Sequence, residues 1–491
     1  MPKKVERSRL ESNQKHKKKQ IKINTLSTLK KIRDNVAGID VGGEFHYVAA
    51  PDPRHDGKIV VNRFGSFTAN LKECVEWLKQ SNIASVAMEA TGVYWTILYA
   101  MLEEEKIEVI LVNPRDFKKI KDKKTDVCDA EYLQLYHSYG LLEGSVVPEK
   151  KIGELRTLTR LREQSVADVA TCIQRMQKAL ISMNLRLDNV ISDISGVTGI
   201  TIIRAILSGE RDPKILGRYR DGRCKKTLEE IEDSLNGFYQ EDHLFALARA
   251  VRQYDFHFEE IQKCDRMIQS KLSEFETHVN YNEATVERLF EVEMRQRKRA
   301  SKKSHEFSFD LKQELIRITG VEITLLPGIG VSTALTLLSE TGLDMNRWKS
   351  AKHFTSWLGL AANNKISGGR ILQSRTKAKK KKAAITLRMA VSGLYRESND
   401  TAIGAFLRRK RAHIGAPKAI TAAASKLGRA YYMTLLTGKP YEESGAQAYY
   451  ERQKVKYLKR VRRQVSQWGY TLVPVEKLEL QPIKAAKISS T

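Results

Sequence analysis

The sequence has little cysteine and no long apolar run, and these shortages exclude several classes of protein. Its five cysteines lie far apart without a C-x-x-C pair, which argues against a disulfide framework or a zinc ribbon and fits a reducing cytoplasm. The longest uncharged stretch, residues 323–339, is interrupted by Pro327, Gly328 and Gly330. A buried helix–turn–helix explains that stretch better than a bilayer span. The basic N-terminus lacks an apolar segment, so we expect no secretory signal.

Several catalytic signatures are missing as well. The sequence contains no G-x-x-x-x-G-K-[ST] phosphate loop, no G-x-S-x-G nucleophile elbow and no H-E-x-x-H or H-x-x-x-H spacing. Each of these patterns has a defined chemical purpose, namely phosphate cradling, serine activation and zinc ligation. The sequence therefore gives no support for a P-loop nucleotidase, an α/β-hydrolase or a zinc protease.

Positive charge is what the chain has in excess. It carries 85 Lys and Arg against 58 Asp and Glu, a formal charge of +27 over 491 residues. Such a field attracts polyanions, so nucleic acid is the first partner to consider and an anionic membrane surface the second. Hydrophobic residues make up 41% of the chain, enough to bury a core.

Composition and periodicity divide the chain into five predicted segments. Buried strands with the sequences VAGIDV, SVAME and IEVILV alternate with helices in the first folded segment, which predicts an α/β domain. Apolar residues at steps of three and four then predict two long helices with coiled-coil packing, either within one chain or across a dimer. The segments are a basic arm (1–34), the α/β domain (35–150), a helical linker (151–320), a mostly helical C-terminal domain (321–450) and a basic tail (451–491).

Four carboxylates in the α/β domain are candidate metal ligands. Asp40 ends the first strand, Glu89 ends the SVAME strand, and Asp126 and Asp129 begin a helix predicted over 125–139. A step of three places the last two on one helix face. Carboxylates at adjoining strand ends repel one another unless a divalent cation lies between them, and oxygen-only ligation suits Mg²⁺. Two such ions can clamp the attacking and leaving oxygens of a phosphodiester.

Two glycine motifs have alternative interpretations. Residues 38–43, GIDVGG, also resemble the start of the phosphate loop of sugar kinases and actin-like ATPases. That interpretation needs a second Asp-containing glycine turn and an adenosine-binding glycine pair; neither is found, and it leaves the charge of +27 unexplained. The LPGIG segment, with Gly328 and Gly330, is either a helix–hairpin–helix turn whose backbone N–H groups approach a phosphate or an ordinary tight turn.

Several motifs in order resemble one family. GIDV, MEATGVYW and VNPRDFKKIKDKKTDVCDAEYL are similar to the DEDD transposases of the insertion-sequence-110 family, which are bridge-RNA-guided recombinases of mobile elements. SDISGVTGITIIRAILSGERDP resembles the branch of that family with a longer linker. LPGIGVSTALTLLSE, FTSWLGLAANNKISGGR and AITAAASKLGRAYYMTLLTG are similar to its C-terminal transposase domain. The resemblance covers about 36–450 and leaves the two tails outside.

This resemblance implies a fold, a site and partners. The first domain is expected to be RuvC-like (RNase H-like), with Asp40, Glu89, Asp126 and Asp129 as the Mg²⁺-binding catalytic tetrad. Ser367 in the S-G-G motif is expected to attack a DNA phosphate and form a covalent serine–DNA link. The expected partners are donor and target DNA, a non-coding bridge RNA and further copies of the chain, as a homodimer and then a synaptic tetramer, with no membrane. The expected location is the prokaryotic cytoplasm, associated with the nucleoid.

Basic and glycine residues near these motifs are predicted to contact nucleic acid. They are Lys123, Lys124, Gly328, Gly330, Gly368, Gly369, Arg370, Lys377, Lys379, Lys380, Lys381 and Lys382. Two departures from the family concern this set: AANNK precedes the serine where Pro and Arg are more usual, and KAKKKK replaces a motif that usually contains Gly around a Thr/Ser-Lys pair. Both departures concern local DNA contacts more than the nucleophile.

Three functions remain as alternatives. The first is an RNA-guided serine recombinase, the second a RuvC-like nuclease that hydrolyses DNA junctions with water, and the third a non-catalytic nucleic-acid-binding protein. The second predicts no covalent protein–DNA species. The third requires the loss of a tetrad acid, and all four are present.

Overall fold

The computed structural model describes residues 30–473 except 56, 115–125, 143, 279–305, 377–380, 397 and 399. The side chains of residues 126–128 and 371 are also outside the description. The chain divides between Val147 and Pro148 into two compact units. No helix in the described part of the chain combines the length and the hydrophobicity that a bilayer span requires.

The first unit is built on a five-stranded sheet with the order β3-β2-β1-β4-β5. The first three strands form an antiparallel meander, and β4 and β5 lie parallel to β1. This arrangement confirms the predicted α/β domain, in which a hairpin precedes the parallel strands. The strands are β1 (Val36–Val41), β2 (Phe45–Asp52), β3 (Lys58–Gly65), β4 (Ser85–Glu89) and β5 (Glu108–Val112).

Helices cover both faces of this sheet. They are α1 (Thr68–Gln80), α2 (Trp95–Glu104) and α3 (Asp126–Ser138). Ile39 and Met88 point to the face covered by α1 and α2, where they join a core with Leu78 and Leu98. Because side chains alternate along a strand, residues 38 and 40 of β1 and residues 87 and 89 of β4 point to the opposite face, against which α3 packs.

The second unit begins with two long helices, α4 (Lys150–Ser182) and, after an intervening group of short helices, α9 (Glu241–Ser273). The intervening helices are α5 (Leu187–Val190), α6 (Val197–Leu207), α7 (Pro213–Gly217) and α8 (Leu228–Ser234). Together these elements bury one continuous apolar cluster that extends from Val169 to Ile261.

Three polar contacts show that α4 and α9 run antiparallel within one chain. Glu154 Oε2 is 2.8 Å from Lys271 Nζ, Arg162 Nε is 2.5 Å from Asp265 Oδ1, and Arg175 Nη1 donates to Gln253 Oε1 at 3.0 Å. As the first residue number rises, its partner's number falls. The two predicted long helices are therefore present and pair within the chain as a helical hairpin, while their coiled-coil packing stays a prediction.

The remainder of the second unit is mostly helical around one two-stranded hairpin. Its helices are α10 (Leu311–Thr319), α11 (Val331–Thr341), α12 (Ala351–Trp357), α13 (Lys382–Ser392), α14 (Ala402–Ile414), α15 (Ala416–Thr437) and α16 (Gly445–Gln467), and its strands are β6 (Ala362–Ser367) and β7 (Arg370–Thr376). Helix α15 lies at the centre, with Tyr431 fully buried against Phe354 of α12. The predicted boundary at 450 falls inside α16.

Candidate active site

The register of the sheet makes Asp40 and Glu89 neighbours. Strands β1 and β4 are parallel, with Gly38 opposite Ala87 and Ile39 opposite Met88. The next positions along the two strands are Asp40 and Glu89, at the carboxyl ends where β1 and β4 finish together. By the alternation of the strands both side chains point to the face that α3 covers.

Helix α3 is aligned with β1 through a close approach at Gly38. A Cβ atom added to Gly38 would lie 2.2 Å from the backbone N of Gln134 and 2.3 Å from the carbonyl O of Ala130. The Gln134 side chain donates to the carbonyl of Val36 at 3.2 Å. Thus residue 134 lies beside residues 36 and 38, and residue 130 lies beside residue 38, so the helix runs opposite to the strand.

This alignment brings the start of α3 level with the acidic end of β1. Four residues of helix advance about 6 Å, and two residues of strand advance about 6.6 Å. One helical step of four beyond Ala130 reaches Asp126, and one strand step of two beyond Gly38 reaches Asp40. The side chain of Asp126 lies outside the description, but its backbone begins α3, one turn from Asp129.

Two of the acids are buried and one is partly buried. Glu89 is 5% exposed and Asp129 is 6% exposed, whereas Asp40 has intermediate exposure. Thr91 Oγ1 donates to Glu89 Oε1 at 3.3 Å, and within the described residues Glu89 forms no ion pair. A buried carboxylate without a cation partner is costly, which makes a cation at this edge of the sheet favourable.

The last turn of α3 is held to the sheet by a buried histidine. His137 Nε2 and Ser85 Oγ of β4 are 2.9 Å apart, and both residues are buried. Burial lowers the pKa of His137 to about 4, with a further lowering from Arg33. The imidazole is therefore neutral at pH 7 and serves as a hydrogen-bonding support for the helix that carries Asp129.

The described acids have the chemistry to bind a hard divalent cation but are not grouped closely enough to enclose one. Asp40, Glu89 and Asp129 offer only carboxylate oxygens, the ligands that Mg²⁺ prefers. Among the described side chains, no three His, Cys, Asp or Glu residues lie close enough together to hold a metal ion. The fourth acid of the predicted tetrad, Asp126, lies outside that set of side chains.

Ser367 lies at the tip of the β6–β7 hairpin. Ser367 pairs with Arg370, so Gly368 and Gly369 are the two central residues of the turn. Their φ angles are +54° and +74°, and two consecutive positive φ values are typical of the type I′ turn that joins tightly paired strands. A Cβ atom at either glycine would meet nothing within 4 Å, so backbone conformation alone requires glycine here.

The serine hairpin is exposed and contains an irregularity near its tip. Every residue of β6 is exposed, and the register shifts between Lys365 and Ile366 because β7 contributes the extra residue Leu372. Such a bulge increases the local twist and redirects side chains. Within the described residues, no hydrogen bond to the Ser367 hydroxyl is formed. The serine is therefore accessible, and its activation requires a group from outside this hairpin.

Other predicted nucleic-acid contacts have structural partners. Lys381 Nζ lies 3.3 Å from the ring centroid of Trp357, and Lys382 Nζ lies 2.7 Å from Glu163 Oε2. A Cβ atom on Gly328, whose φ is +76°, would lie 2.5 Å from the carbonyl O of Ala390, so packing against α13 already requires a glycine at this position.

The other residues predicted to contact nucleic acid are either accessible or outside the described part of the chain. Gly330 has open space around its Cα atom, and Arg370 is exposed on the hairpin. Lys123, Lys124, Lys377, Lys379 and Lys380 lie outside the described residues. All the nucleic-acid contacts stay predictions.

Gly38 is a positioning residue whose role was not predicted, although it begins the GIDVGG motif. Its signal was available, because a glycine inside an otherwise buried apolar strand often marks the close approach of another backbone. The close approach of α3 at this glycine sets the position, along β1, of the helix segment that carries Asp126 and Asp129.

Two protein-family models match the chain, one mainly in the first unit and one within the second. Residues 37–184 match the DEDD transposase model of the IS110 family, described as "Transposase". Residues 322–399 match a second model, described as "Transposase IS116/IS110/IS902 family". No curated protein matches the chain. The first match contains all four acids and the second contains Ser367. With these two models matched in order, the chain belongs to the IS110 family of transposases, a family that implies DNA transposition.

Proposed function

We propose that this transposase is a DNA recombinase guided by a non-coding bridge RNA, and that it cuts and rejoins donor and target DNA through a covalent serine–DNA intermediate. The observation that carries the proposal is the sheet edge where Asp40, Glu89 and the start of α3 meet on one face. Acids assembled in this way in a chain of charge +27 suit a phosphodiester substrate rather than a small neutral one.

The acidic edge is proposed to hold Mg²⁺ through Asp40, Glu89, Asp126 and Asp129. The buried, unpaired charge of Glu89 and the all-oxygen donor set support this assignment. When bound, such an ion polarises a phosphoryl oxygen and lowers the pKa of a coordinated hydroxyl. The chain's own contribution is to fix the carboxylates on rigid elements, through the β1–β4 register and the close packing of α3 at Gly38.

Ser367 is the proposed nucleophile. Its Oγ would attack the phosphorus of a DNA phosphodiester, forming an O–P bond while the bond to the leaving strand's oxygen breaks and that oxygen takes up a proton. Attack by the hydroxyl of a new strand end would then restore Ser367. Each step exchanges one phosphodiester for another, so no nucleotide hydrolysis is required. The exposed tip of the hairpin and its two glycines leave room for a DNA backbone.

The RNA guide, the oligomer and the location follow from the family and are proposals for this chain. Lys and Arg contacts to phosphates give affinity without sequence readout, which suits a protein whose specificity lies in base pairing to an RNA. A homodimer, and a tetramer in the synaptic complex, would supply the two DNA duplexes with active sites. The proposed location is the prokaryotic cytoplasm at the nucleoid.

A second function is favoured by one observation. Glu89 and Asp129 are buried beside the sheet, whereas Ser367 is exposed and no described residue forms a hydrogen bond to its hydroxyl. That contrast would suit a metal-dependent nuclease that uses water as the nucleophile. The two functions can be distinguished by a covalent protein–DNA adduct, which the recombinase forms and hydrolysis by water does not.

The deciding experiment compares two serine variants. Purified protein with its RNA would be incubated with labelled donor DNA and Mg²⁺, and covalent adducts would be resolved by denaturing electrophoresis. The Ser367→Ala variant should form neither adduct nor recombinant product, whereas Ser356→Ala, which changes another exposed serine on α12, should behave as the parent. An adduct that persists in Ser367→Ala would exclude this nucleophile, and cleavage without any adduct in the parent would favour the nuclease.

The guide and the metal are tested separately. Ribonuclease treatment should abolish recombination, and adding the transcribed non-coding flank should restore it; equal activity before and after treatment would exclude an RNA guide. Chelation of divalent ions should stop adduct formation while nucleic-acid binding persists. The Asp40→Ala variant should likewise fold and bind nucleic acid but form no adduct.

A further inference from the structure

Helices α14, α15 and α16 present two neighbouring concavities that are lined by cations. The smaller one has a volume of about 470 Å³, and the larger one has a volume of about 1090 Å³. The cations of the smaller are Arg409, Lys454, Lys456 and Arg460; those of the larger are Lys352, Arg375, Lys418, Lys426 and Arg429. No acidic residue is among the described residues that line either one.

A pair of aromatic rings lies between the two concavities, with Phe406 partly buried and Tyr449 only 4% exposed. Lys426 Nζ, on the larger side, lies 5.1 Å from the ring centroid of Phe406 and 5.2 Å from that of Tyr449. Arg409, on the smaller side, donates from Nε to Tyr449 Oη at 2.8 Å. One cation from each concavity therefore contacts the same ring, that of Tyr449, which places the two basic surfaces side by side.

Among the described residues, no acid forms an ion pair with any cation that lines the two concavities. The pKa of Lys426 lies below its ordinary value because of desolvation, and Arg452, Lys456 and Arg409 lower it further while Glu443 opposes them. Glu443 is already engaged, since its Oε1 accepts from two backbone N–H groups. Cations held together without acids to balance them suit a polyanionic occupant, which relieves their mutual repulsion.

The dimensions and the aromatic content favour a single strand over a duplex. Volumes near the ~300–1,000 Å³ range of small-ligand pockets hold individual bases and phosphates rather than the body of a double helix. Tyr457 lies in the smaller concavity and is 60% exposed, with Arg460 5.6 Å from its ring centroid. Exposed rings between cations are typical of single-strand binding, in which bases stack and phosphates pair with Lys and Arg.

The larger concavity reaches the hairpin that carries Ser367. Ser374, Arg375 and Thr376 of β7 line it, and β7 leads through the Gly368–Gly369 turn to the serine. We propose that the two concavities form one groove that binds a single strand of DNA and leads it towards the hairpin; the direction of this path rests on the proposed function of Ser367.

Two matched triple variants of the full chain test the groove. The groove variant is Lys426→Gln/Lys456→Gln/Arg460→Gln, and the control is Arg249→Gln/Arg252→Gln/Arg266→Gln, which removes the same charge from exposed positions on α9. Binding of a labelled oligothymidylate would be followed by fluorescence anisotropy over a salt series, in chelator so that no cleavage occurs.

The groove variant should bind at least about tenfold more weakly at low salt, and its logarithmic salt slope should fall by about 2, as the loss of three phosphate contacts predicts. The control should change far less. Equal losses in the two variants, or none in the groove variant, would overturn the proposal. A loss confined to oligouridylate or to duplex DNA would overturn the assignment to single-stranded DNA.

A photochemical experiment tests the position of the strand. An oligothymidylate with scattered 5-iododeoxyuridine should cross-link to Tyr457, and Tyr457→Leu should remove that cross-link while Tyr470→Leu, at another exposed tyrosine, retains it. Cross-links that avoid Tyr457 in the parent would count against stacking in the groove.

Ser367→Ala separates this proposal from the proposed function. That variant should bind oligothymidylate as the parent does, whether or not the serine is the nucleophile. Normal binding together with a persistent adduct would refute only the nucleophile, whereas loss of adduct together with unchanged binding by the groove variant would refute only the groove.

Discussion

Asp40 and Glu89 stand at the ends of strands in the centre of a sheet, with helices packed on both faces, whereas Ser367 stands on a hairpin whose first strand is exposed at every residue. The position of the acids is set by main-chain register and by backbone contact between α3 and β1 at Gly38. The position of the serine is set by a turn of two glycines and by the pairing of two short strands.

This difference has an energetic consequence. Moving the acids requires repacking a core, so their geometry is rigid before any substrate arrives. A two-stranded hairpin with an exposed first strand is marginally stable by itself. We therefore expect the acidic edge to be preorganised and the serine to be positioned by nucleic acid.

The largest expected effect comes from neutralising one buried acid. Glu89→Gln should lower the rate of DNA cleavage by about 10³-fold, because the proposed Mg²⁺ loses a carboxylate ligand and stabilises the reacting phosphate less well. The thermal midpoint should stay the same or rise, because the change removes an uncompensated buried charge. Glu104→Gln, at an exposed acid of the same unit, should leave both quantities unchanged. A large fall in stability with Glu89→Gln would show that the acid is structural.

The rigidity of the acidic edge can be broken at Gly38. Gly38→Ala places a methyl group 2.2–2.3 Å from backbone atoms of α3, so the helix must move, and unfolding free energy should fall by about 3 kcal/mol or more. Activity should fall with it. Gly43→Ala is the control for stability, since its nearest neighbour would be Tyr94 Cζ at 3.4 Å. Equal denaturant midpoints for the two variants would show that α3 is not held at this point.

The His137 support should make the acidic edge sensitive to pH, unlike the hairpin. Its pKa is about 4 in the folded chain and about 6.5 when unfolded. The unfolded state therefore binds more protons between these values, and the stabilisation is complete above pH 6.5 and is lost as the pH falls towards 4. Between pH 7 and pH 4 this amounts to about 3 kcal/mol at most.

The contribution of His137 to the unfolding free energy is tested with His137→Asn. In this variant the unfolding free energy, measured with urea at several pH values, should fall less between pH 7 and pH 4 than in the parent. Parallel pH curves for the variant and the parent would contradict the assignment to His137.

The smallest effect is expected at the hairpin turn. The double change Gly368→Ala/Gly369→Ala forces positive φ values on residues with a Cβ, at about 1–2 kcal/mol each. The hairpin should shift its conformation while the unfolding free energy of the unit changes by less than about 0.5 kcal/mol. Adduct formation should fall about tenfold. Gly222→Ala, where a Cβ also meets nothing within 4 Å and φ is not positive, is the control, and a large loss of stability in the double variant would show that the hairpin is part of the core.

The periodic elements could be predicted from the sequence, and their spatial relations could not. The strands ending at Asp40 and Glu89 are short, mainly apolar runs, and the segment 125–139 was expected to be a helix with Leu133 and Leu135 inside, so each element was predicted. The β1–β4 register depends on core packing on both faces and is not encoded in either strand alone. The antiparallel pairing of α4 and α9 within one chain could not be predicted either, because their apolar spacing is equally compatible with pairing across a dimer.

The hairpin that carries Ser367 was missed as secondary structure. The C-terminal domain is mostly helical, as predicted, and the sequence analysis assigned S-G-G a nucleophile and two DNA-contacting glycines but no turn. A Gly-Gly pair between two short segments of mixed polar and β-branched residues is a known hairpin signal. It was weak here because β6 and β7 are polar and exposed on both faces, so no apolar alternation marks them.

By itself, the sequence determined the α/β character of the first domain, the two long helices, the four acids, the motif around Ser367 and the excess of positive charge. These are local or additive properties, so they can be read from the order of residues. Only the tertiary structure decided that Asp40 and Glu89 are neighbours, that α3 meets β1 at Gly38, and that Lys426 and Arg409 contact the same buried ring, that of Tyr449. Each of these depends on contacts between distant parts of the chain, and such contacts are selected by packing of the whole core rather than by any one segment.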